Sequence, residues 1–160
     1  MTTPNLLLQL GGADLQTTAA CLDFIKRFFV MDRSDIQNFA IAANGEAVGN
    51  VGLSNIERAH DTGWTYYWVA AQHQRQGLAT RGLTTLAHWA FHDVGLFRLE
   101  LGHRVNNPTS CAVATRAGFA AEGVERSKLR YGDQRFDVEL HARLATDPAP
   151  DLSVLPYHLN

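Results

Sequence analysis

The segment from residue 64 to residue 94 constrains the fold most, because it joins a strand signal to a helix signal through a short turn. Residues 64–70 (WTYYWVA) alternate and are rich in β-forming side chains, which favours a strand. The turn QHQRQGLAT (72–80) follows. Four apolar positions then recur at helical spacing: Leu83, Leu86, Ala90 and Val94. A strand, a glycine-containing turn and a long helix predict one βαβ-like crossover.

The N-terminal half carries signals for a strand, a helix and a hairpin. Residues 6–10 (LLLQL) are short and apolar, which predicts a first strand. Asp14 is the expected N-cap of the helix that follows. Residues 39–43 and 47–53 flank Asn44-Gly45, and this dipeptide supplies the positive φ values of a type I′ turn. The pattern predicts a β-hairpin.

The C-terminal half adds a strand, a helix and two further strands. Residues 97–101 predict a strand. Asn107-Pro108 predicts a helix start, because asparagine caps well and proline suits the first helical position. Residues 119–124 and 136–144 predict the last strands. The order β-α-β-β-β-α-β-α-β-β defines a mixed α/β (α+β) domain with an early antiparallel sheet.

Length and composition restrict the class of protein. The 160 residues suit one domain, expected over 1–146, with a C-terminal extension at 147–160. A net charge of −2 gives no basic footprint, so no nucleic-acid partner is expected. Apolar runs fall far below the ~20 residues of a membrane span, so no membrane partner is expected either. Cys21 and Cys111 form no C-x-x-C pair, which favours a reduced, cytoplasmic setting.

Residues 74–79 have the chemistry of a small anion site. A turn that leads into a helix aims backbone N–H groups at one point, in front of the positive end of the helix. Gly77 allows close backbone approach, Ala79 keeps the first helical turn clear, and Arg75 adds positive charge. A purely structural turn would use the same glycine. The nucleotide motifs G-x-x-x-x-G-K-[ST] and G-x-G-x-x-G are absent from this stretch.

Two spaced motifs resemble those of the GNAT superfamily of acyl-CoA-dependent N-acetyltransferases. Gln74-x-x-Gly77-x-Ala79, extended by Thr80, is similar to the Q/R-x-x-G-x-G/A signature of that family. The second motif comprises Arg98-Leu99-Glu100, Asn107-x-x-Ser110, Ala117-Gly118-Phe119 and Glu122-Gly123. It resembles the RimJ/RimL-type subgroup, which acetylates N-terminal amines of ribosomal proteins and many other amines. The resemblance implies the GNAT fold, with two central strands splayed apart. It also implies acetyl-CoA as cosubstrate in the gap, and no metal.

The resemblance implies a set of coenzyme-binding residues. Backbone groups of Val69 and Ala71 would pair with the pantetheine arm like an added strand. Asn107 would reach the coenzyme from its helix cap, with Ser110 nearby. The pyrophosphate would be held at Gln74, Arg75, Gln76, Gly77, Leu78, Ala79 and Thr80.

The implied reaction is direct attack of an amine on the thioester carbonyl in a ternary complex, helped by proximity and by backbone N–H groups. Many relatives carry a glutamate base and a tyrosine acid, and these slots hold Gly102 and Ala114 here. The acid would be Ser110 or a water. The base, acting through water, would be one of His103, Asp61, His60 and Glu57.

The empty slots favour an amine that needs little deprotonation. Near pH 7.4 a lysine amine is about 0.1% neutral, whereas an α-amine is roughly a quarter neutral. A protein or peptide N-terminus is therefore expected as the substrate. The alternatives are a small amine, such as a polyamine or an aminoglycoside-like antibiotic, and a CoA-binding regulatory module without turnover. The proline-bearing tail and the habit of the family make a homodimer a further expectation.

Several side chains have both a functional and a structural interpretation. Trp64, Tyr66 and Trp68 share one face of their strand, where a core role is favoured and Trp64 is the best candidate for the amine pocket. Glu57 and Asp61 are further substrate-binding candidates, although solvated turn charges are favoured.

Two other groups are interpreted as structural. The pair His88 and His92 has a spacing that could bind a metal, but it shares a stripe with Arg81 and Thr85, which predicts a solvated face. Cys111 has no evident histidine partner in sequence and is interpreted as a packed thiol.

Overall fold

The computed structural model describes residues 17–29 and 35–158, in two compact units that divide after Ser34. The elements are α1 (Thr18–Phe29), β1 (Gln37–Ala43), β2 (Glu46–Glu57), β3 (Thr62–Val69), a 3-10 turn (Ala71–His73), α2 (Leu78–His92), β4 (Arg98–Arg104), α3 (Pro108–Arg116), β5 (Ala120–Tyr131) and β6 (Gln134–Leu144). This order confirms the predicted one from the first helix onward. The strand predicted at residues 6–10 lies outside the described residues.

Helix α1 belongs to the first unit and begins one residue after Thr17. The Thr17 Oγ1 atom accepts a hydrogen bond from the backbone N–H of Ala20 at 3.1 Å. The carbonyl of Thr17 accepts another from the N–H of Cys21 at 3.0 Å. Threonine caps by this chemistry, so Thr17 caps the described helix, and Asp14, the predicted cap, lies outside the described residues.

The second unit contains a six-stranded sheet in the order β1-β2-β3-β4-β6-β5. All neighbouring strands are antiparallel except β3 and β4, which are parallel and are joined through α2. This pair confirms the predicted βαβ-like crossover. The β1–β2 hairpin turns at Asn44 (φ 52°) and Gly45 (φ 80°), so the predicted pair of positive φ values is present.

Helix α2 packs on one face of the sheet through the predicted apolar stripe. Leu83, Leu86 and Ala90 are fully or almost fully buried there. His88 and His92 are exposed, as expected. Thr85 is buried, however, so its predicted place on a solvated stripe was wrong. Its hydroxyl donates to the carbonyl of Arg81 at 2.8 Å and accepts from the N–H of Leu155 at 2.9 Å, because the C-terminal segment crosses the helix there.

Strand β3 presents two unlike faces. Thr65 and Val69 are buried beneath the helices, and Tyr67 packs against the same core. Trp64, Tyr66 and Trp68 occupy the other face, where Trp68 is 39% exposed. The expectation that these three belong to the core was therefore wrong for Trp68.

The C-terminal segment is held against α2 by polar contacts. Besides the Leu155 hydrogen bond to Thr85, the Tyr157 hydroxyl donates to Asp93 Oδ2 at 2.8 Å. A cavity of about 460 Å³ between β1, α2 and residues 155–158 shares no lining residue with β3 or β4. Among the described residues, no helix is long and apolar enough to cross a membrane.

Candidate active site

Strands β3 and β4 pair over only three residues and then diverge. Thr62 pairs with Arg98, Gly63 with Leu99, and Trp64 with Glu100. At the point of divergence, Thr65 Oγ1 donates to the carbonyl of Glu100 at 3.1 Å. Beyond it, β3 still pairs with β2 and β4 still pairs with β6, so each strand keeps its outer partner. The inner backbone edges of residues 65–69 and 101–104 are left facing a gap.

The loop of residues 74–80, called the 74–80 loop below, leads from the open end of β3 into α2. Arg75 (φ 62°) and Gly77 (φ 74°) both adopt left-handed backbone conformations, and Gly77 is the N-cap of α2. Within the described chain, the N–H groups of residues 75–80 donate to no protein acceptor. The N–H of Gln74 donates to Ala71 O at 3.3 Å. Free N–H groups at a helix N-terminus form an anion-binding concavity.

The side chain of Gln74 fixes the loop to the strand. Its Nε2 atom donates to the carbonyl of Val69, the last residue of β3, at 3.2 Å. Ala71 begins the 3-10 turn that separates strand from loop. The side chain of this glutamine therefore fixes the point at which the loop leaves the strand.

Two arginines lie beside the 74–80 loop. A cavity of about 320 Å³ is lined by Gly77, Thr80, Arg81, Arg116 and residues 150–152. Arg81 comes from the first turn of α2 and Arg116 from the last turn of α3. The sequence analysis named neither arginine as a candidate for coenzyme binding. The i+4 spacing of Gly77 and Arg81 was visible in the sequence, but the approach of Arg116 depends on how α3 packs.

The first turn of α3 is tied to β3 on the helix-covered face of the sheet. Asn107 Oδ1 accepts from the N–H of Ser110 at 3.1 Å, which confirms the predicted cap. The Tyr67 hydroxyl donates to the carbonyl of Ser110 at 3.2 Å. Burial raises the pKa of Tyr67 to about 12, so this phenol is a neutral donor. In the described structure the Ser110 hydroxyl makes no hydrogen bond, and the residue is linked to β3 through the Tyr67 side chain.

Gly102, in the slot where relatives carry a glutamate, lies beneath the ring of Trp64. A Cβ atom on Gly102 would lie 3.1 Å from Trp64 Cη2 and 2.8 Å from Val138 Cγ1. The indole therefore fills the space that a longer side chain at this position would need. Lys128 Nζ lies 5.4 Å from the centre of the same ring.

The acidic candidates Glu57 and Asp61 lie at the paired end of β3, away from the gap. Both carboxylate oxygens of Glu57 accept from the turn, from the N–H of Ala59 (2.7 Å) and that of His60 (3.0 Å). The carbonyl of Asp61 accepts from the N–H groups of Phe97 and Arg98. Asp61 precedes Thr65 by four residues, about 13 Å of extended strand. The structure does not bring these carboxylates together with the 74–80 loop.

His103 points to the opposite face of β4 from Gly102, since successive strand residues alternate. It is 7% exposed, and its Nε2 atom lies 3.0 Å from Nε2 of His141. Glu139 Oε2 lies 3.3 Å from the first of these nitrogens and 3.1 Å from the second. Cys111 Sγ completes a group whose ligand atoms all lie within 4.8 Å of one another. We call these four residues the histidine cluster.

The histidine cluster perturbs the carboxylate within it. The interaction with His141 is the main cause that holds the pKa of Glu139 below its usual range, and the interaction with Cys111 acts in the same direction. The sequence analysis considered His103 and Cys111 separately and missed Glu139 and His141. No local signal joins them, because the group forms only when β4 pairs with β6 and α3 packs over both.

Arg98 binds two glutamates of the second motif, Glu100 and Glu122. Its guanidinium donates to Glu100 at 2.7 Å and, with two nitrogens, to both oxygens of Glu122. These bonds raise the pKa of Arg98 and lower that of Glu122. Both carboxylates are therefore paired with one arginine.

The chain belongs to the GNAT acetyltransferase family, as its motifs suggested. Residues 8–120 match the family model described as an acetyltransferase (GNAT) domain. The diverging β3–β4 pair and the 74–80 loop both lie within the matched residues.

Individual relatives point in the same direction. The chain is 34% identical over 106 residues to the ribosomal-protein-serine acetyltransferase of Escherichia coli (strain K12). This alignment covers 66% of the chain and 59% of that protein. It is 30% identical to Mycobacterium smegmatis RimJ, solved in complex with CoA-disulfide, with a TM-score of 0.67 over 79% of the chain and 58% of RimJ. Microcin C7 self immunity acetyltransferase MccE, in complex with acetyl-CoA and AMP, superposes with a TM-score of 0.75 at 23% identity, covering 83% and 74% of the two chains. The chain spans only about half to two thirds of the curated relatives it matches first.

Proposed function

We propose that this protein transfers the acetyl group of acetyl-CoA to the free α-amine of a protein or peptide by direct attack. The observation that carries the proposal is the gap between β3 and β4, which opens beside a loop in which the N–H groups of residues 75–80 have no acceptor among the described residues. The family assignment supports this use of the gap, and the similarity to a ribosomal-protein-serine acetyltransferase supports an N-terminal target.

The coenzyme would bind in three parts. The free N–H groups of residues 75–80 would hold the pyrophosphate, and Arg75, Arg81 and Arg116 would neutralise phosphate charge. The open backbone edge of β3 would pair with the pantetheine arm as an added strand. Asn107 would reach the coenzyme beside it, although its Oδ1 atom already accepts from Ser110. The thioester would then lie where the two strands diverge.

The chemistry would rest mainly on orientation and on the intrinsic reactivity of the amine. A neutral α-amine attacks the thioester carbon, the tetrahedral intermediate collapses, and the carbon–sulfur bond breaks. Ser110, whose hydroxyl is unengaged, would donate its proton to the leaving thiolate and take up, through water, the proton that the attacking nitrogen loses. The slot of Gly102 is filled by Trp64, so no side-chain base stands there. An α-amine, which is roughly a quarter neutral near pH 7.4, needs less help from a base than a lysine does.

The charges on the face of the sheet that carries Trp64 favour a peptide over a polyamine as the substrate. Glu100 and Glu122 are both paired with Arg98, and Glu125 is paired with Lys128. Lys128 also lies over Trp64. A polycation would meet neutralised carboxylates and a positive charge, whereas polycation pockets need several free carboxylates.

Release of the coenzyme A thiol from acetyl-CoA tests the proposal. One pool of amines holds short peptides with varied free N-termini, and the other holds polyamines and aminoglycosides. We expect turnover with the peptides, and Ser110→Ala should lower kcat while leaving the Kd of CoA nearly unchanged. Turnover restricted to the small amines would replace the peptide assignment. CoA binding without turnover in either pool would identify a regulatory module instead.

The proposal extends to the cellular compartment, the oligomeric state and the domain bounds of the protein. We propose that the protein acts in the cytoplasm as a homodimer, and sedimentation of the full chain measures its association state directly. The domain is proposed to span residues 1–146, with residues 147–160 as an extension.

A further inference from the structure

The histidine cluster places four potential metal ligands around one point on the helix-covered face of the sheet. His103 of β4 pairs directly with Glu139 of β6, and His141 lies two residues further along β6 on the same face. Cys111 approaches from α3. The ligands come from three elements, so the site is built by tertiary packing.

The outer nitrogens of both imidazoles are held by backbone carbonyls. His103 Nδ1 lies 3.0 Å from the carbonyl oxygen of Arg104, and His141 Nδ1 lies 3.2 Å from that of Phe119. A carbonyl oxygen can only accept, so each Nδ1 carries the proton and donates. Metal-binding histidines are oriented in this way, with one nitrogen hydrogen-bonded outward and the other free for the metal.

The inner atoms therefore present lone pairs to one another. With both Nδ1 atoms protonated, the two Nε2 atoms of the neutral imidazoles are unprotonated at a separation of 3.0 Å. Glu139 Oε2 lies 3.3 Å and 3.1 Å from these nitrogens. Three electron-rich atoms at such separations repel unless a positive charge lies among them. That charge is either an added proton or a metal ion.

We propose that His103, His141, Cys111 and Glu139 bind a zinc ion or a similar borderline-soft divalent metal. The Cys111 thiol binds as the thiolate and releases its proton to solvent. The expectation of a metal-free protein, which came from family resemblance alone, would then be wrong for this chain.

The spacing of the cluster fits a tetrahedral ion. With bonds of about 2.0–2.1 Å to nitrogen and oxygen, ligand atoms around tetrahedral zinc lie roughly 3.3–3.4 Å apart. The observed separations among the two nitrogens and the oxygen are 3.0–3.3 Å. The group spans up to 4.8 Å with the sulfur included, so small side-chain rotations complete the site. Two imidazoles, a thiolate and a carboxylate suit zinc rather than magnesium or calcium.

Cobalt(II) titration of the metal-free full-length chain tests the site without using activity. Tetrahedral cobalt bound to a thiolate gives intense d–d bands and a sulfur-to-cobalt charge-transfer band, and added zinc should displace it at one ion per chain. We expect Cys111→Ser to remove the charge-transfer band and weaken cobalt binding by at least about tenfold. At a fixed concentration, zinc should raise the Tm of the wild-type chain by more than it raises that of Cys111→Ser.

Two matched controls separate this site from other metal ligands. Cys21→Ser removes the other cysteine, and the double variant His88→Ala/His92→Ala removes an exposed histidine pair whose ring centroids are 4.4 Å apart. Both should retain the cobalt spectrum and the zinc-dependent Tm. A charge-transfer band that survives in Cys111→Ser, or that disappears in either control, overturns the assignment.

Absence of cobalt and zinc binding by the wild-type chain also overturns it. The cluster would then be a pair of histidines that share a proton beside Glu139. Because no coenzyme or amine is present in these titrations, their result does not depend on whether the protein transfers acetyl groups.

Discussion

The 74–80 loop and the histidine cluster are two polar sites built in opposite ways. The loop uses backbone N–H groups within seven consecutive residues, and its geometry follows from positive φ values at Arg75 and Gly77. The cluster uses side chains from two strands and a helix, and its members His103 and His141 are 38 residues apart. The loop therefore tolerates changes in most of its side chains, whereas each side chain of the cluster is a ligand or a proton partner.

In the proposed reaction, coenzyme binding and the chemical step would therefore depend on different parts of the molecule. The loop would hold the coenzyme whichever amine is acetylated, because it would recognise phosphate through the backbone. The space around Gly102 is shaped by Trp64 and Val138, and in the proposed reaction these residues would decide what can act on the amine. The histidine cluster lies on the other face of β4, so His103 is poorly placed to act in that space. Its Nε2 atom is already directed at His141.

The largest effect is expected from Gly77→Val in the 74–80 loop. A β-branched residue at φ 74° is strained by about 1–2 kcal/mol, and relief of that strain would turn the N–H groups away from the phosphates. We expect the Kd of CoA, measured by calorimetry, to rise by about 30-fold or more.

Gly45→Val is the matched control for the loop. Gly45 has φ 80° and, like Gly77, no atom within 4 Å of the added Cβ, but it lies in the β1–β2 turn. It should lower the Tm by a similar amount and leave the Kd of CoA unchanged. Equal losses of CoA affinity in the two variants would show that the loop has no special role.

The sequence predicted this loop because its signals are local. Gly77, like Asn44-Gly45 and Asn107-Pro108, has a conformational preference that hardly depends on the rest of the chain. The divergence of β3 from β4 was expected only through the resemblance to a family. Nothing near Thr65 in the sequence shows that its hydroxyl spans the two strands at Glu100.

The histidine cluster and the filled slot at Gly102 could not be predicted, for the same physical reason. Both depend on the register of β4 with its neighbours, in which His103 lies opposite Glu139 of β6, and Glu100, two residues before Gly102 on the same face, lies opposite Trp64 of β3. A shift of one residue would exchange the two faces of β4. That register is fixed by the packing of the whole sheet, and no short motif encodes it.

A smaller effect is expected when the glutamate of better-equipped relatives is restored by Gly102→Glu. The added side chain would collide with Trp64 and Val138, and overpacking of this kind costs roughly 1–3 kcal/mol. We expect urea unfolding to show that loss, with no gain in kcat. Gly123→Glu, where an added Cβ meets nothing within 4 Å, should be close to neutral in stability.

Adding Trp64→Ala to Gly102→Glu tests the cause of that loss. Removing the indole should recover part of the stability lost with the glutamate, so the two changes should couple. Strictly additive losses would show that Trp64 does not exclude side chains from this slot. A gain in kcat with Gly102→Glu alone would show that the slot is open to a base after all.

The smallest effect is expected from Tyr67→Phe, which acts on the contact between β3 and α3 rather than on either site. Loss of the hydrogen bond to the carbonyl of Ser110 should lower the free energy of unfolding by about 1 kcal/mol at neutral pH.

The folded-state pKa of Tyr67 is raised from 10.0 to about 12, mainly by burial, so the native state keeps this proton longer than the unfolded state does. The wild-type chain therefore loses stability through this group as the pH rises from about 10 to about 12, and the phenylalanine variant does not. The difference between the two chains, measured by denaturant unfolding across that interval, should shrink as the pH rises. A difference that stays constant would mean that Tyr67 ionises as easily in the folded chain as in the unfolded one, and that the tie between β3 and α3 is open to solvent.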